Sequence, residues 1–290
     1  MISLAGLKRD MDFMRDLGNI LDTFKVAALA QFRFFQRDEN INEFFSDEIE
    51  KAFRMLPPEK VSVSPYVTEH EASDERKAKA IIAVISDDGF LGGLNSSVVE
   101  AALQRRTLFE DEVIVLGERG VRFLEERHER FVPFPGIDED ISYKHVERLR
   151  SYILKRFLRK FHEVYIVYPE FLSLTSQRIT VTKVLPYMIP PRRRVRRETA
   201  VKELLVEPTE PRAVRALVTM WLGYKLLDIF CSAKQSEYAA RIMHLEGSVQ
   251  ELTEMKKKLT LQYFRQVHTL RDKTIREISA SKILLKEHKR

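Results

Sequence analysis

The 290-residue chain is 44% hydrophobic, enough to bury a core and to build one or two domains. Its single cysteine, Cys231, excludes an internal disulfide and suits a reducing compartment. The N-terminus has no hydrophobic signal core and no apolar run approaches 18 residues, so the chain is expected to be soluble, at most sitting beside a membrane. The net charge of +6 is unevenly placed: from Arg212 to Arg290 stand 16 Lys or Arg against 8 Asp or Glu, a net +8 that leaves −2 for the rest. A basic surface of this kind attracts acidic partners or simply solvates a helix exterior.

In chain order, Leu4, Leu7, Met11, Met14, Leu17, Leu21, Phe24 and Ala28 recur at alternating spacings of three and four, and no proline occurs before Pro57. Residues 1–56 therefore read as one long helix, with Gly18 a soft spot costing about 1 kcal/mol relative to Ala. Residues 57–78, with Pro57-Pro58 and Pro65, read as a linker. Ala80 to Ile85 is a short apolar run of the kind buried on both faces in a parallel sheet. The glycine-rich loop Ser86 to Asn95 follows, then a helix over 96–106, a strand at Val113 to Leu116, helices over 118–130 and 141–161, a third strand at Val164 to Tyr168 ended by Pro169, and a fourth at Ile179 to Leu185. This is a Rossmann-like α/β layer over 79–190, followed by a second linker over 191–211.

From 212 to 290 there is no proline and only Gly223 and Gly247. Tyr238, Ile242, Leu245, Val249, Leu252, Leu259, Tyr263 and Leu270 form a heptad seam, interrupted by Lys256 and Gln266. Fully helical, the 79 residues from 212 to 290 would make a rod of about 115 Å, too long to pack inside a globule. Such a rod must project and needs a partner helix, an external sleeve, or both. The N-terminal helix is an available partner, so the expected fold is α/β: a long antiparallel coiled coil of the N- and C-terminal helices plus a central Rossmann-like α/β domain.

Catalytic chemistry finds little footing. A strand, a glycine-rich turn and a helix N-terminus can cradle phosphate, but no Gly-Lys-Ser/Thr is present and Asp87 and Asp88 would repel an anion. The loop reads instead as a tight turn before a helix capped by a Ser or Asn side chain. The seven histidines form no HxH or HxxxH pair and Cys231 has no obvious partner, so no metal or cofactor is expected. Arg192, Arg193, Arg194, Arg196 and Arg197 lack interleaved aromatics and read as an exposed loop rather than a nucleic-acid site.

Four stretches carry a family likeness. Ile85 to Asn95 echoes a strand end followed by Ser-Asp-x-Gly-Leu-Cys-Gly-Gly-x-Asn, with Phe90 and Leu91 in place of Leu-Cys. Ser236-Glu237-Tyr238-Ala239-Ala240-Arg241-Ile242 matches Ser-Glu-x-Ala-Ala-Arg-Met, Glu207-Pro208 matches a Glu-Pro ahead of that helix, and Ile20 to Leu29 corresponds to Ile-Thr-x-Ala-Met-x-Met-Val-Ala-Ala with Phe24 and Val26 for the methionines. In order and spacing, across the whole chain, these resemble the gamma subunit of rotary F-type ATP synthases. The chain departs from that pattern near the shaft tip, where Val267-His268 and Arg271-Asp272-Lys273-Thr274 replace an Arg-Gln pair and Ile-Thr-x-Glu before Glu277-Ile278 recovers it.

The resemblance implies a non-catalytic rotor shaft, coupling ion translocation through a membrane ring to ATP synthesis or hydrolysis on beta subunits. It implies alpha and beta ATPase subunits, an epsilon subunit and the c-ring as partners, no nucleic acid, and a peripheral position on the cytoplasmic, or matrix- or stroma-equivalent, face of an energy-transducing membrane. It places partner contacts at Phe24, Lys25, Ser236, Glu237, Arg241 and Glu277. Glu237 and Arg241 stand four apart, and an exposed pair at that spacing contributes only about 0.3–0.5 kcal/mol, so contact with a partner is the expected role and Arg241→Ala is expected to leave the isolated chain's melting nearly unchanged. A non-rotary coiled-coil adaptor with an α/β head explains the helices but not the two central motifs together. A nucleotide-dependent enzyme on the α/β domain would need a working phosphate loop.

Overall fold

The structure, a computed structural model, describes residues 3–36, 64–68, 78–138, 143–188 and 209–287, together with single or short stretches at 45, 48–49, 51–53, 55–56, 61 and 141. Most of the two expected linkers, the run Arg192 to Arg197 and the Glu207-Pro208 pair lie outside the described residues. The elements in order are α1 (Leu4–Phe35), β1 (Val67–Thr68), β2 (Lys79–Val84), α2 (Leu94–Arg105), β3 (Glu112–Leu116), α3 (Glu118–Glu126), β4 (Val132–Phe134), α4 (Tyr143–Arg156), β5 (Glu163–Ser173), β6 (Ser176–Leu185), β7 (Tyr187–Met188) and α5 (Glu210–Glu287). They divide into an α/β unit, Leu29–Arg241, and a helical unit made of Met1–Ala28 and Ile242–Arg290.

The α/β unit is built on a five-stranded sheet of order β4-β3-β2-β5-β6. The first four strands are parallel and β6 is antiparallel at the edge. Every residue of β2 and β3 is buried, because helices cover both faces and leave no polar side for an alternating pattern. Ile81, Ala83, Val113, Val115 and Val167 face α2 and α3 through Val98, Val99, Ala102 and Leu124. Ala80, Ile82, Val84, Ile114, Leu116, Val164 and Ile166 face α4 and the start of α5, through Val146, Leu149, Ile153, Val214, Val218, Leu222, Leu226, Ile229 and Phe230.

That last group revises the projecting rod. The first turns of α5 are a sheet-covering helix, and this explains why a stretch of α5 reaches a mean hydropathy of 1.3 over 18 residues in a helix whose Val214, Val218, Leu222, Leu226, Ile229, Phe230 and Ala233 are buried against its own domain. Close approach of α3 to the sheet is set by glycine: a Cβ on Gly120 would lie 2.4 Å from Ile85 Cδ1 and 2.6 Å from Val115 Cγ1.

Proline shapes two strands. β4 contains Pro133 and, among the described residues, pairs only with β3, which is where a strand tolerates a missing N–H. β5 does not end at Pro169 as expected but runs to Ser173. Its pairing with β2 stops at Val167, so at Pro169 only the antiparallel partner β6 remains and the missing donor disturbs no inner ladder. Within the segment read as a linker, Val67–Thr68 forms β1 and pairs in parallel with β7.

The N-terminal helix is shorter than the 1–56 expected. α1 stops at Phe35, with Gln36 in a turn, and Gln235 Nε2 donates to the Phe35 carbonyl at 3.0 Å, satisfying one of the orphan acceptors of a helix end. The partner comes from 200 residues away, so nothing local announces the stop.

In the helical unit α1 and α5 run antiparallel: Lys25 meets Glu246 at 3.0 Å, while Gly18 faces Leu252, whose Cδ2 would lie 3.3 Å from an added Cβ. Leu7, Leu21, Ala28, Ile242 and Leu245 are buried. Leu4, Met11, Met14, Gly18 and Lys25 are half-buried on α1, and Val249, Leu252, Leu259 and Tyr263 on α5. The α1 seam is therefore Leu4, Leu7, Met11, Met14, Gly18, Leu21, Lys25, Ala28; Leu17, expected in it, is half-buried beside Gly18, whereas Lys25 stands where Phe24 was expected. Phe24 lies outside it, 47% exposed.

Candidate functional site

In a doubly wound sheet the ligand crevice opens at the carboxyl ends of the strands where the order reverses, here between β2 and β5. The glycine-rich loop leaves β2 at this point. Ser86 N–H donates to Asn95 Oδ1 at 3.4 Å and Asp88 N–H to Ser86 Oγ at 3.0 Å. Asp87 Oδ1 accepts from the Glu118 N–H at 2.7 Å, at the first turn of α3, where a carboxylate offsets the helix dipole. Phe90 and Gly92 take left-handed backbone, at φ 62° and 58°. The N-cap of α2 is Gly93, and no side chain caps it, against the expected Ser or Asn; Ser96 and Ser97 hydroxyls donate back to the Gly93 carbonyl instead.

The crevice itself is filled. Its walls are Val84, Ser86, Leu91, Asn95 and Pro169, and α5 closes it with Ala233, Lys234 and Glu237, leaving about 10 Å³, room for one water at most. A wider cleft of about 540 Å³ beside it is lined by Asp87, Glu118, Arg122 and Glu125, a wall that disfavours phosphate. Among the described residues no cluster of His, Cys, Asp or Glu could hold a metal ion.

The charges of the C-terminal motif knit α5 to the loop. Glu237 receives Lys234 Nζ at 3.1 Å and Arg241 Nη2 at 2.7 Å, and Arg241 Nη2 also reaches Asp88 Oδ2 at 3.2 Å. Glu237 is 4% exposed and Ser236 is fully covered. The Arg241 side chain is 12% exposed, whereas Asp88 is 64% exposed. The Arg241 guanidinium lies 5.1 Å from the Tyr238 ring, and Tyr238 stacks on Phe35 at 5.7 Å. The premise that Glu237 and Arg241 form an exposed helical pair is thus corrected: the pair is covered, shared with Lys234, and tied across the fold to Asp88. Sequence reasoning missed the roles of Asp88 and Gln235 because their partners, Arg241 and the Phe35 carbonyl, are distant in the chain; Lys234 stands only three residues from Glu237, and what the sequence hides there is that the pair is buried.

The remaining expected contact residues lie on the helical unit. Glu277 is exposed, with Lys273 3.9 Å away. Phe13, Ile20, Phe24 and Val26 on α1, and Leu261, Phe264, Ile275 and Ile278 on α5, present large apolar side chains to solvent. Lys25 is partly covered and bonds Glu246 at 3.0 Å and Asp22 at 3.2 Å. The Lys25 hydrogen bond, aided by Gln250, holds the Glu246 carboxyl below its usual range. Glu246 first, then Asp22, raises the Lys25 ammonium above its ordinary value. A carboxylate lowered on folding stabilises above its unfolded pKa and loses that contribution as pH falls through the folded one; a raised ammonium stabilises below its unfolded pKa and loses it as pH rises through the folded one. The pair is therefore intact across the neutral range and fails at both extremes. Titrating the Glu246 carboxyl carbon by NMR should show its midpoint move up when Lys25 is replaced by Met; an unchanged midpoint would contradict the pairing.

A family model described as ATP synthase matches residues 3–278. The ATP synthase gamma chain of Geotalea daltonii is 25% identical over 273 residues, covering 91% of this chain and 92% of that one. The gamma chain of Pelotomaculum thermopropionicum is 24% identical over 282 residues, covering 96% and 97%. Among solved structures, a chain in the Euglena gracilis mitochondrial ATP synthase (OSCP/F1/c-ring, rotational state 3) superposes with a TM-score of 0.74 at 14% identity, over 99% of this chain and 96% of that one. A chain in the central stalk and c-ring of the Tetrahymena thermophila mitochondrial ATP synthase does so at 0.59 and 14%, over 79% and 99%.

Proposed function

The chain belongs to the ATP synthase gamma-chain family, a central-stalk subunit, and we propose on that premise that it turns inside a sleeve of alpha and beta subunits while ATP is made or hydrolysed on beta. Its lower partners are an epsilon subunit and a membrane c-ring, which puts the chain at the surface of an energy-transducing membrane, on the face that holds the nucleotide pool. Torque passes by differential contact: an asymmetric helical surface favours a different beta conformation at each angle, and only interaction energy that differs between states can shift them.

The observation that carries this reading is the exposed apolar surface of the helical unit. Phe13, Ile20 and Phe24 fall on one face of α1 and Leu261, Phe264, Ile275 and Ile278 on one face of α5, apolar stripes of the kind that a partner covers. Phe24→Asp is expected to leave the isolated chain's melting temperature nearly unchanged, since surface substitutions fall within about 0.5 kcal/mol. In the reconstituted complex the same change should block assembly or cut ATP-driven ion pumping several-fold. Wild-type assembly and pumping would contradict the sleeve.

The α/β unit has an anchoring role on this reading. Lys234 and Glu237 occupy the crevice where a nucleotide would sit, so titration of the isolated chain with ATP, ADP and NAD should give no binding at micromolar concentration. Saturable binding abolished by bulky replacements at Gly92 and Gly93 would favour an enzyme instead.

A further inference from the structure

The apolar seam of the helical unit cannot by itself define how α1 is aligned along α5. Leu245, Leu252 and Leu259 stand seven apart, so the notch at Gly18, which Leu252 fills here, would accept either of the other two leucines after a slip of one heptad. A seam degenerate under its own repeat leaves register weakly specified.

Lys25 breaks this degeneracy. It occupies a seam position between Leu21 and Ala28, both buried, and its ammonium meets Glu246 at 3.0 Å. Two neighbours steady the pair: Asp22 lies 3.2 Å from Lys25 Nζ, and Gln250 Nε2 donates to the other Glu246 oxygen at 3.3 Å. One heptad away on either side of Glu246 stand Ala239 and Thr253, and three or four residues away stand Ile242, Met243, Val249 and Gln250. None of these is a carboxylate, so a slip of three, four or seven residues takes Lys25 away from Glu246, leaving it only Asp22, which travels with it on α1, and sets the ammonium against neutral side chains of α5, which is less favourable. A polar group at one seam position fixes alignment at some cost in stability.

We propose that Lys25 and Glu246 form the register key of the two-helix unit: the one alignment that joins them is selected over heptad-slipped alternatives that the leucines alone would permit. This holds whether or not the unit turns inside a sleeve.

The test uses the full-length chain with Cys231→Ser and one of three cysteine pairs: Gly18→Cys with Leu252→Cys, with Leu245→Cys, or with Leu259→Cys. With Lys25 and Glu246 intact, mild oxidation is expected to close only the 18–252 bridge. Lys25→Met should leave the melting temperature unchanged or raise it, because an apolar side chain fills the seam, yet increase the 18–245 or 18–259 product at least several-fold. The charge-swapped chain, Lys25→Glu with Glu246→Lys, should return to the 18–252 product alone. An ordinary surface ion pair predicts the opposite: Lys25→Met lowers the melting temperature slightly and the cross-link pattern stays as in the parent, a result that would overturn the key.

Discussion

Glu237→Ala should lower the melting temperature of the isolated chain by about 10 °C. The Glu237 carboxylate is the shared anion of two cations, at 3.1 Å from Lys234 and 2.7 Å from Arg241, whose side chains are 8% and 12% exposed. Removing one member of a buried ionic set costs about 3–5 kcal/mol, because Lys234 loses the carboxylate it is paired with and Arg241 keeps only the largely exposed Asp88. In a domain of this size each kcal/mol moves the midpoint by about 2–4 °C. Arg241→Ala should cost less, about 1–3 kcal/mol, since Glu237 keeps Lys234. That reverses the sequence-based expectation of an unchanged melt. A shift below 1 °C for Glu237→Ala, by calorimetry or circular dichroism, would show that the network is solvated and carries no weight.

The second large effect is expected at Gly117, where β3 turns into α3. Its φ is 99°, and a Cβ would lie 2.2 Å from the Ile85 carbonyl oxygen and 2.9 Å from its carbon. The backbone there is not free to move aside, because Ile85 N–H donates to the Leu116 carbonyl at 3.1 Å. Gly117→Ala therefore combines backbone strain of about 1–3 kcal/mol with a clash against a strand end, and should leave the chain poorly soluble or more than 10 °C less stable. Gly92→Ala is the internal control: φ is 58° but nothing lies within 4 Å of the added Cβ, so only the left-handed penalty of about 1–2 kcal/mol applies. Equal losses at the two positions would mean that φ alone, and not the Ile85 contact, governs Gly117.

How much of this was legible in the sequence depends on how far away the deciding partner stands. β2, β3 and β5 announce themselves because burial on both faces demands unbroken apolar runs, whereas β4 is three residues long with Pro133 at its centre and gives no period to read. The expected α1 seam passes over Gly18, which shares the interface with its half-buried neighbour Leu17, and sets Phe24 in the place of Lys25, since a count of apolar residues skips both Gly18 and Lys25. A glycine that admits a leucine, and a lysine whose stem is apolar and whose tip finds a carboxylate, are seam residues by geometry rather than by type. The motif Ser236 to Arg241 was visible as a pattern, but its work was not. Asp88 lies 153 residues from Arg241, and only the folded chain shows that the two adjacent aspartates serve different elements, Asp87 the start of α3 and Asp88 the guanidinium of α5.

Rotation of this chain can be watched in a complex with alpha and beta subunits, held to a surface by the sleeve, with a bead attached to an exposed position of the α/β unit such as Phe109 changed to Cys in a Cys231→Ser background. On adding ATP the bead should turn in one direction, in discrete steps, and stop when ATP is exhausted. A complex that assembles and hydrolyses ATP while the bead stays fixed would contradict the account and leave the chain a static adaptor.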